Sequence, residues 1–218
     1  MASTRNLLLK APAAALEALT PLAREGFAVE VTAGCSLRAT LADDLGLGRE
    51  CVETRIQTVF MDGSPVDDID ADFARPGSVL ALAGALPGVA GIAMQRGSRI
   101  GVYREGITHQ VEQQSGQQAG QQDCHPVWQD EAASEPARPL RVTLKLFNTV
   151  AVECLAQVLR HGVELRAGRL AELLDERPDA LAQAEFELDG APLSRAAVAD
   201  VLRGAHAPLR LSAQDGTE

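Results

Sequence analysis

The stretch TVFMDGSPV at residues 58–66 has a counterpart, EFELDGAPL, at residues 185–193. In both, apolar residues lead into Asp-Gly, and a small residue, a proline and an aliphatic residue follow. Asp-Gly between apolar runs favours a tight turn, because glycine adopts positive φ without strain and aspartate tolerates it. Pro65 and Pro192 lack an N–H, which suits an edge strand or a strand start. Each copy is therefore predicted to be strand, turn, strand.

Composition and charge disfavour two classes of function, nucleic-acid binding and membrane association. The net charge of −10 disfavours nonspecific binding to nucleic acid or to anionic lipid. The longest uncharged apolar run, residues 79–94, is too short to span a bilayer, and no apolar leader opens the chain. We therefore expect a cytoplasmic protein that binds neither nucleic acid nor membrane. Aromatic residues make up only 3%, so aliphatic side chains must build the core.

The first half of the chain alternates strands and helices. Strands are predicted at 6–10, 27–33, 54–61 and 79–83, with a helix at 12–25 and another capped by Ser36. An acidic connection at 66–78 carries Ile69 and Phe73 as inward anchors. This order, with the Asp-Gly turn, Pro65-Val66 and the closing strand, resembles ubiquitin-like β-grasp domains over residues 5–91. It is most similar to the sulfur-carrier branch, which includes the molybdopterin-synthase small subunit and the thiamin-biosynthesis carrier.

The chain departs from that family where its chemistry would lie. Sulfur carriers end in Gly-Gly, whose carboxylate is adenylated and converted to a thiocarboxylate. Here the corresponding stretch, LPGVAG at 86–91, has no Gly-Gly pair and the chain continues. Carrier chemistry would need processing after Gly88 or Gly91. Residues 92–104 are instead predicted to form a hairpin, and the repeated glycines indicate close backbone approach or bulges.

The second half repeats the plan after a linker. Residues 109–139 are rich in Gln, Gly, Ser and Pro and carry five acids against Arg138. Residues 140–213 again predict strands and helices, with Ser194 as a helix cap. Glu17, Leu19, Arg24 and Gly26 match Glu153, Leu155, Arg160 and Gly162 at a constant spacing, which indicates a degenerate tandem duplication. The predicted fold class is α+β: two β-grasp-like units with mixed sheets and packed helices, 1–108 and 140–218, joined by the linker 109–139.

The residues with chemical potential do not assemble into a catalytic or metal-binding pattern. Cys35 and Cys154 are predicted to be core thiols, and Cys124-His125 lacks spaced partners for a zinc site. The acidic cluster in 67–72 lacks EF-hand spacing, which favours a solvated loop over a Ca²⁺ site. His161 and His206 each lie near a helix-ending glycine, where they can cap the last turn. We therefore expect no enzyme activity, no cofactor and no metal.

Two functions remain open. The first is a non-catalytic protein-binding or adaptor module made of the two ubiquitin-like units. The alternative is an accessory protein or sulfur-carrier relative in molybdenum-cofactor or thiamin-type sulfur metabolism. The apolar, Gly-rich run after the closing strand either folds over its own sheet or pairs with the second unit or another copy. Trp128, the only tryptophan, either docks on its own domain or on a partner. The candidate interface residues are Leu86, Pro87, Val89, Ile92, Met94 and Trp128.

Overall fold

The computed structural model describes residues 4–101, 138–203, 205 and 207–216. Both Asp-Gly sites form the predicted turn. Asp62 and Gly63 have φ of 53° and 87°, and Asp189 and Gly190 have φ of 52° and 82°. Positive φ at both central residues is the geometry of a type I′ hairpin turn, which fits the twist of the flanking strands. The prolines that follow lie in short strands at the ends of the strand order, where a missing N–H is tolerated.

The described residues divide into two compact units. The continuous unit is Glu30–Val150, and the split unit joins Met1–Val29 to Ala151–Glu218. Strand β2 (Phe27–Thr32) and helix α6 (Asn148–Glu153) each contain one of the two points at which the chain passes from one unit to the other.

In the continuous unit, the strands on either side of the Asp62-Gly63 turn and the closing strand after the acidic connection lie where the sequence predicted them. Ser36 caps its helix through a hydrogen bond from the Ala39 N–H to its side chain. That helix continues as a π-helical turn, Thr40–Asp44, and glycines with positive φ follow at Gly46 and Gly48. The remaining elements are α3 (Leu37–Ala39), α4 (Arg49–Thr54), β3 (Thr58–Met61), β4 (Ser64–Val66), β5 (Val79–Ala83), α5 (Gly88–Met94) and β6 (Pro139–Phe147).

The strand order in the continuous unit is β4-β3-β5-β6-β2. β3 pairs antiparallel with β4 and β5, whereas β5 and β6 are parallel, with Leu80 opposite Leu144. Their inward leucines and Val59 are buried and form the core beneath this part of the sheet. Ile69 is buried and Phe73 is half-buried and bridges to Ser36, so the acidic connection is anchored as predicted.

The split unit contains the two chain ends. Its elements before β2 are β1 (Arg5–Ala11), α1 (Ala13–Leu16), a 3-10 turn and α2 (Thr20–Glu25). Those from the second half are α7 (Leu155–His161), β7 (Val163–Arg166), α8 (Ala167–Glu176), β8 (Glu185–Leu188), β9 (Ala191–Leu193), α9 (Arg195–Leu202) and β10 (Pro208–Asp215).

The strand order in the split unit is β7-β10-β1-β8-β9. β1 lies between β10, to which it is parallel, and β8, to which it is antiparallel. Leu7 and Leu9 of β1 are therefore buried in the core made by the second half of the chain. Ser194 caps α9 as predicted, by accepting a hydrogen bond from the Ala197 N–H.

The sequence repeat also holds at the strand–helix–strand crossings. Gly26 and Gly162, predicted to match, both end a helix with positive φ, at 117° and 92°. Leu19 and Leu155, the matched leucines, are both buried. The predicted 12–25 helix is interrupted by the 3-10 turn at Glu17–Leu19, and Pro21 lies in the first turn of α2, where a proline is tolerated.

Three features correct the predictions. The α+β class holds, but the ten strands of the described residues are ordered in one mixed sheet instead of two. The compact units also do not follow the divisions at 108 and 140, because β1 joins the second half of the chain and β6 joins the first. The third strand begins at Thr58 and not at the expected residue 54, where helix α4 ends, and Cys154 separates α6 from α7.

None of the described helices is both long enough and apolar enough to cross a membrane.

Candidate interaction surface

The segment that follows β5 is a helix and not the predicted hairpin. Residues 88–94 form α5, so the predicted hairpin over 92–104 is wrong at its start; residues 102–104 lie outside the described part. Pro87 immediately precedes the helix, and Gly88 begins it with φ of 80°. A seven-residue run of small and aliphatic residues does not distinguish strand from helix by its pattern, so its packing decides the outcome.

Two glycines bring this segment close to neighbouring backbone and side chains. A Cβ added to Gly91 would collide with the carbonyl group of Leu86, so α5 packs directly on the turn before it. A Cβ on Gly84 would collide with the hydroxyl of Thr149. The close approach predicted from the repeated glycines is thus confirmed at these two positions.

Arg96 holds the far end of α5 against α4. Its backbone N–H donates to the carbonyl of Gln57 at 2.9 Å. Its guanidinium Nη2 donates to the carbonyls of Val52 at 2.7 Å and Ile56 at 2.6 Å. These acceptors lie at the C-terminal end of α4, where carbonyl groups lack helical partners and the helix dipole favours a cation. Burial lowers the pKa of the Arg96 guanidinium, and the nearby positive charge of Arg38 lowers it further.

The outer side of α5 is apolar and open to solvent. Val89 is 76% exposed and Ile92 is 47% exposed, and among the described residues only two other large apolar side chains, Val152 and Val201, are exposed. Pro87 is exposed, and Leu86 and Met94 are half-buried. We call Leu86, Pro87, Val89, Ile92 and Met94 the α5 surface. The structure brings these five predicted interface residues together on one turn and one helix, whereas Trp128 lies outside the described residues.

The acidic loop is organised by its own hydrogen bonds. Asp68 accepts the backbone N–H groups of Asp70 and Ala71 at 2.9 and 3.1 Å. The carboxylate of Asp70 accepts two hydrogen bonds from the guanidinium of Arg38. This pairing is the main cause of the raised pKa of Arg38. No group of three or more His, Cys, Asp or Glu side chains suited to a metal occurs in the part of the chain that the structure describes.

The other candidate residues have the following places. Cys35 and Cys154 are buried as predicted, and His161 ends α7 beside Gly162. Cys124, His125 and His206 lie outside the described residues.

A second surface feature, which the sequence did not suggest, is a groove of about 260 Å³ beside α8. Two of its three arginines are held in ion pairs: Arg169 bonds to Glu25 and Glu172, and Arg203 bonds to Asp175 and Asp200. The hydrogen bond from Arg169 lowers the pKa of Glu25. We regard this groove as an ion-paired surface and not as an anion site. Its lining residues are Arg166, Gly168, Arg169, Ala171, Glu172, Asp175, Arg203 and Ala205.

Comparison of the chain with protein-family models, with curated proteins and with solved structures finds no match. The α5 surface must therefore be interpreted from its own geometry.

Proposed function

We propose that the protein is a non-catalytic protein-binding module and that the α5 surface contacts its protein partner. The observation that carries this proposal is the pair Val89 and Ile92, which are aliphatic and exposed on a helix whose far end is anchored by Arg96. Contiguous exposed apolar side chains are typical of sites that another surface covers.

The anchoring of α5 strengthens the argument. Binding by a segment without fixed structure loses affinity to ordering, whereas a fixed segment avoids most of that cost. The backbone contact at Gly91 and the carbonyl contacts of Arg96 hold Val89 and Ile92 in a defined arrangement. A short helix that presents aliphatic side chains at positions i and i+3 is a common form of protein recognition.

The experiment is affinity capture of binding proteins from the native host with the full chain and with Val89→Asp and Ile92→Asp. We expect a captured protein to be lost with both variants, because a carboxylate at an apolar contact must give up water without a partner. Val201→Asp is the matched control, since Val201 is 42% exposed on α9 and lies outside the α5 surface. Equal capture by all four proteins, with folding confirmed by circular dichroism, would refute the proposal.

The sulfur-carrier alternative predicts something different. It requires cleavage after Gly88 or Gly91, because only a free terminal carboxylate can be adenylated. Intact mass of the protein purified from its host separates the two functions: a full-length mass supports the binding module, and a mass ending at either glycine supports the carrier. Self-association through the α5 surface is tested by light scattering of the same variants.

A further inference from the structure

The α5 surface belongs to an unusual region of charge. Residues 73–104 contain four arginines and no acidic residue, although the chain has 30 acidic residues in 218. Arg99 of this stretch is exposed, seven residues after Ile92. The next stretch has the opposite character: residues 105–137 contain six acidic residues and neither lysine nor arginine. The only tryptophan, Trp128, lies in this acidic stretch beside Val127, with Asp123, Asp130 and Glu131 nearby in sequence.

We propose that the segment 126–130, PVWQD, binds the α5 surface of its own chain, with Trp128 against Val89 and Ile92 and its flanking carboxylates toward Arg99. In this position it competes with the protein partner, and only that regulatory consequence rests on the proposed function. Tryptophan suits such a contact because its side chain can bury about 150–250 Å² and its N–H can remain at a wet edge.

The chain length allows this contact. The described chain reaches Gly101 seven residues after the end of α5, and Val127 follows Gly101 by 26 positions. An extended chain of that length spans up to roughly 90 Å. The chain returns at Arg138, so both ends of the segment belong to the continuous unit, as α5 does. A tethered ligand acts at an effective concentration on the order of millimolar, so a modest intrinsic affinity is enough to occupy the site.

The single tryptophan makes the contact measurable in the full chain. We expect its fluorescence emission to be blue-shifted relative to free N-acetyl-tryptophanamide and protected from acrylamide quenching. Val89→Asp and Ile92→Asp should shift the emission to the red and raise quenching, whereas the control Val201→Asp should leave both unchanged. Added salt should act in the same direction as the first two variants, because it screens exposed charges.

Partner capture then tests the competition. If the segment leaves the α5 surface free about a tenth of the time, Trp128→Ala should strengthen capture about tenfold. Loss of capture with Trp128→Ala would show instead that the tryptophan itself contacts the partner, which overturns the proposal.

Other outcomes also decide it. Emission equal to that of the free tryptophan analogue, and unaffected by Val89→Asp, would refute the contact, and so would an equal shift in Val201→Asp. A blue shift that disappears on dilution would assign the contact to a second copy. If Val89→Asp loses capture but keeps its emission, the proposed function stands and this inference is refuted. If Val89→Asp shifts the emission but no protein is captured specifically, this inference stands and the proposed function is refuted.

Discussion

The two Asp-Gly turns form the same local structure but meet strands from different parts of the chain. Asp62 accepts the Val79 N–H at 2.7 Å, and Val79 begins β5, the next strand but one. Asp189 accepts the Asn6 N–H at 2.8 Å, and Asn6 lies in β1, 183 residues away. In both turns the backbone N–H of the aspartate also donates to the carbonyl of the same partner residue, Val79 or Asn6. The same corner is therefore completed by a neighbouring strand in one unit and by the start of the chain in the other.

This comparison separates local chemistry from connectivity. A repeated sequence specifies the turn, its carboxylate and a strand edge whose backbone groups can pair with a further strand. It does not specify which strand arrives, because a ladder is made of backbone groups that every non-proline residue carries. In the split unit, helix α9 comes between β9 and β10, and β10 lies beside β7, which leaves the position beside β8 to β1.

The largest expected effect compares Leu7→Ala with Leu80→Ala. Both leucines are 1% exposed. Leu7 of β1 lies opposite Leu188 of β8, and Leu80 of β5 lies opposite Met61 of β3, so each belongs to the strand that pairs with the strand before the Asp-Gly turn. Each change should cost about 2–5 kcal/mol of unfolding free energy, through lost burial and a cavity. Hydrogen exchange should show the loss in β8 and β10 for Leu7→Ala and in β3 and β6 for Leu80→Ala. Loss of protection in β3 on changing Leu7 would break the assignment of β1 to the split unit.

A second comparison concerns two arginines that cap equivalent helices. Arg96 binds carbonyls at the end of α4, and Arg195 binds the carbonyls of Leu174, Arg177 and Ala180 at the end of α8. Alanine at either position should cost about 1.5–3 kcal/mol, because hydrogen bonds to a charged group are lost. Urea unfolding measures both.

The two arginines should differ in function. Only Arg96→Ala should also weaken partner capture, because of these two arginines only Arg96 anchors the α5 surface. Arg99→Ala is the control for stability, since an exposed side chain there should change the free energy of unfolding by less than about 0.5 kcal/mol. Equal capture by Arg96→Ala and the unchanged chain would show that partner binding does not depend on the anchoring of α5 by Arg96.

The turn glycines should respond alike in the two units. Nothing lies within 4 Å of a Cβ added to Gly63 or Gly190, so the cost of Gly→Ala comes only from positive φ. We expect about 1–2 kcal/mol at each. Gly168→Ala, which lies within α8 and lacks positive φ, should be neutral or stabilising by comparison. A clear inequality between the first two variants in thermal unfolding would show that the turns are not equivalent.

The smallest effect is the pH dependence of Asp189. The Asn6 N–H, and after it the Arg5 guanidinium, lower the pKa of this carboxyl from its ordinary value of 3.8. A lowered pKa means that the folded state holds this proton less tightly than the unfolded chain does. The stabilisation is complete above 3.8 and is lost as pH falls through the folded-state pKa. The urea midpoint of Asp189→Asn should therefore approach that of the unchanged chain as pH falls below 3.8, and a difference that grows instead would contradict the contact.

Part of the candidate site could be predicted from the sequence. From the sequence, the apolar, Gly-rich run predicted that residues 86–94 must be covered by another surface. The exposure of Val89 and Ile92 is visible only in the structure. The helix itself was missed, since seven small and aliphatic residues fit either period. The anchoring role of Arg96 was missed too. Its guanidinium donates to backbone carbonyls at the end of α4, 40 and 44 residues away, and backbone carbonyls carry no sequence signal.

The sequence by itself determined the local devices: the type I′ turns at Asp62 and Asp189, the helix caps at Ser36 and Ser194, and the helix-ending glycines at 26 and 162. Each depends on the conformational freedom or the hydrogen-bonding group of one residue. Only the tertiary structure decided that β1 completes the unit formed by the second half and β6 the unit formed by the first. The physical reason is that backbone hydrogen bonds and aliphatic burial are the same for any strand of suitable pattern. The choice among such strands then depends on the length and path of the connections between them.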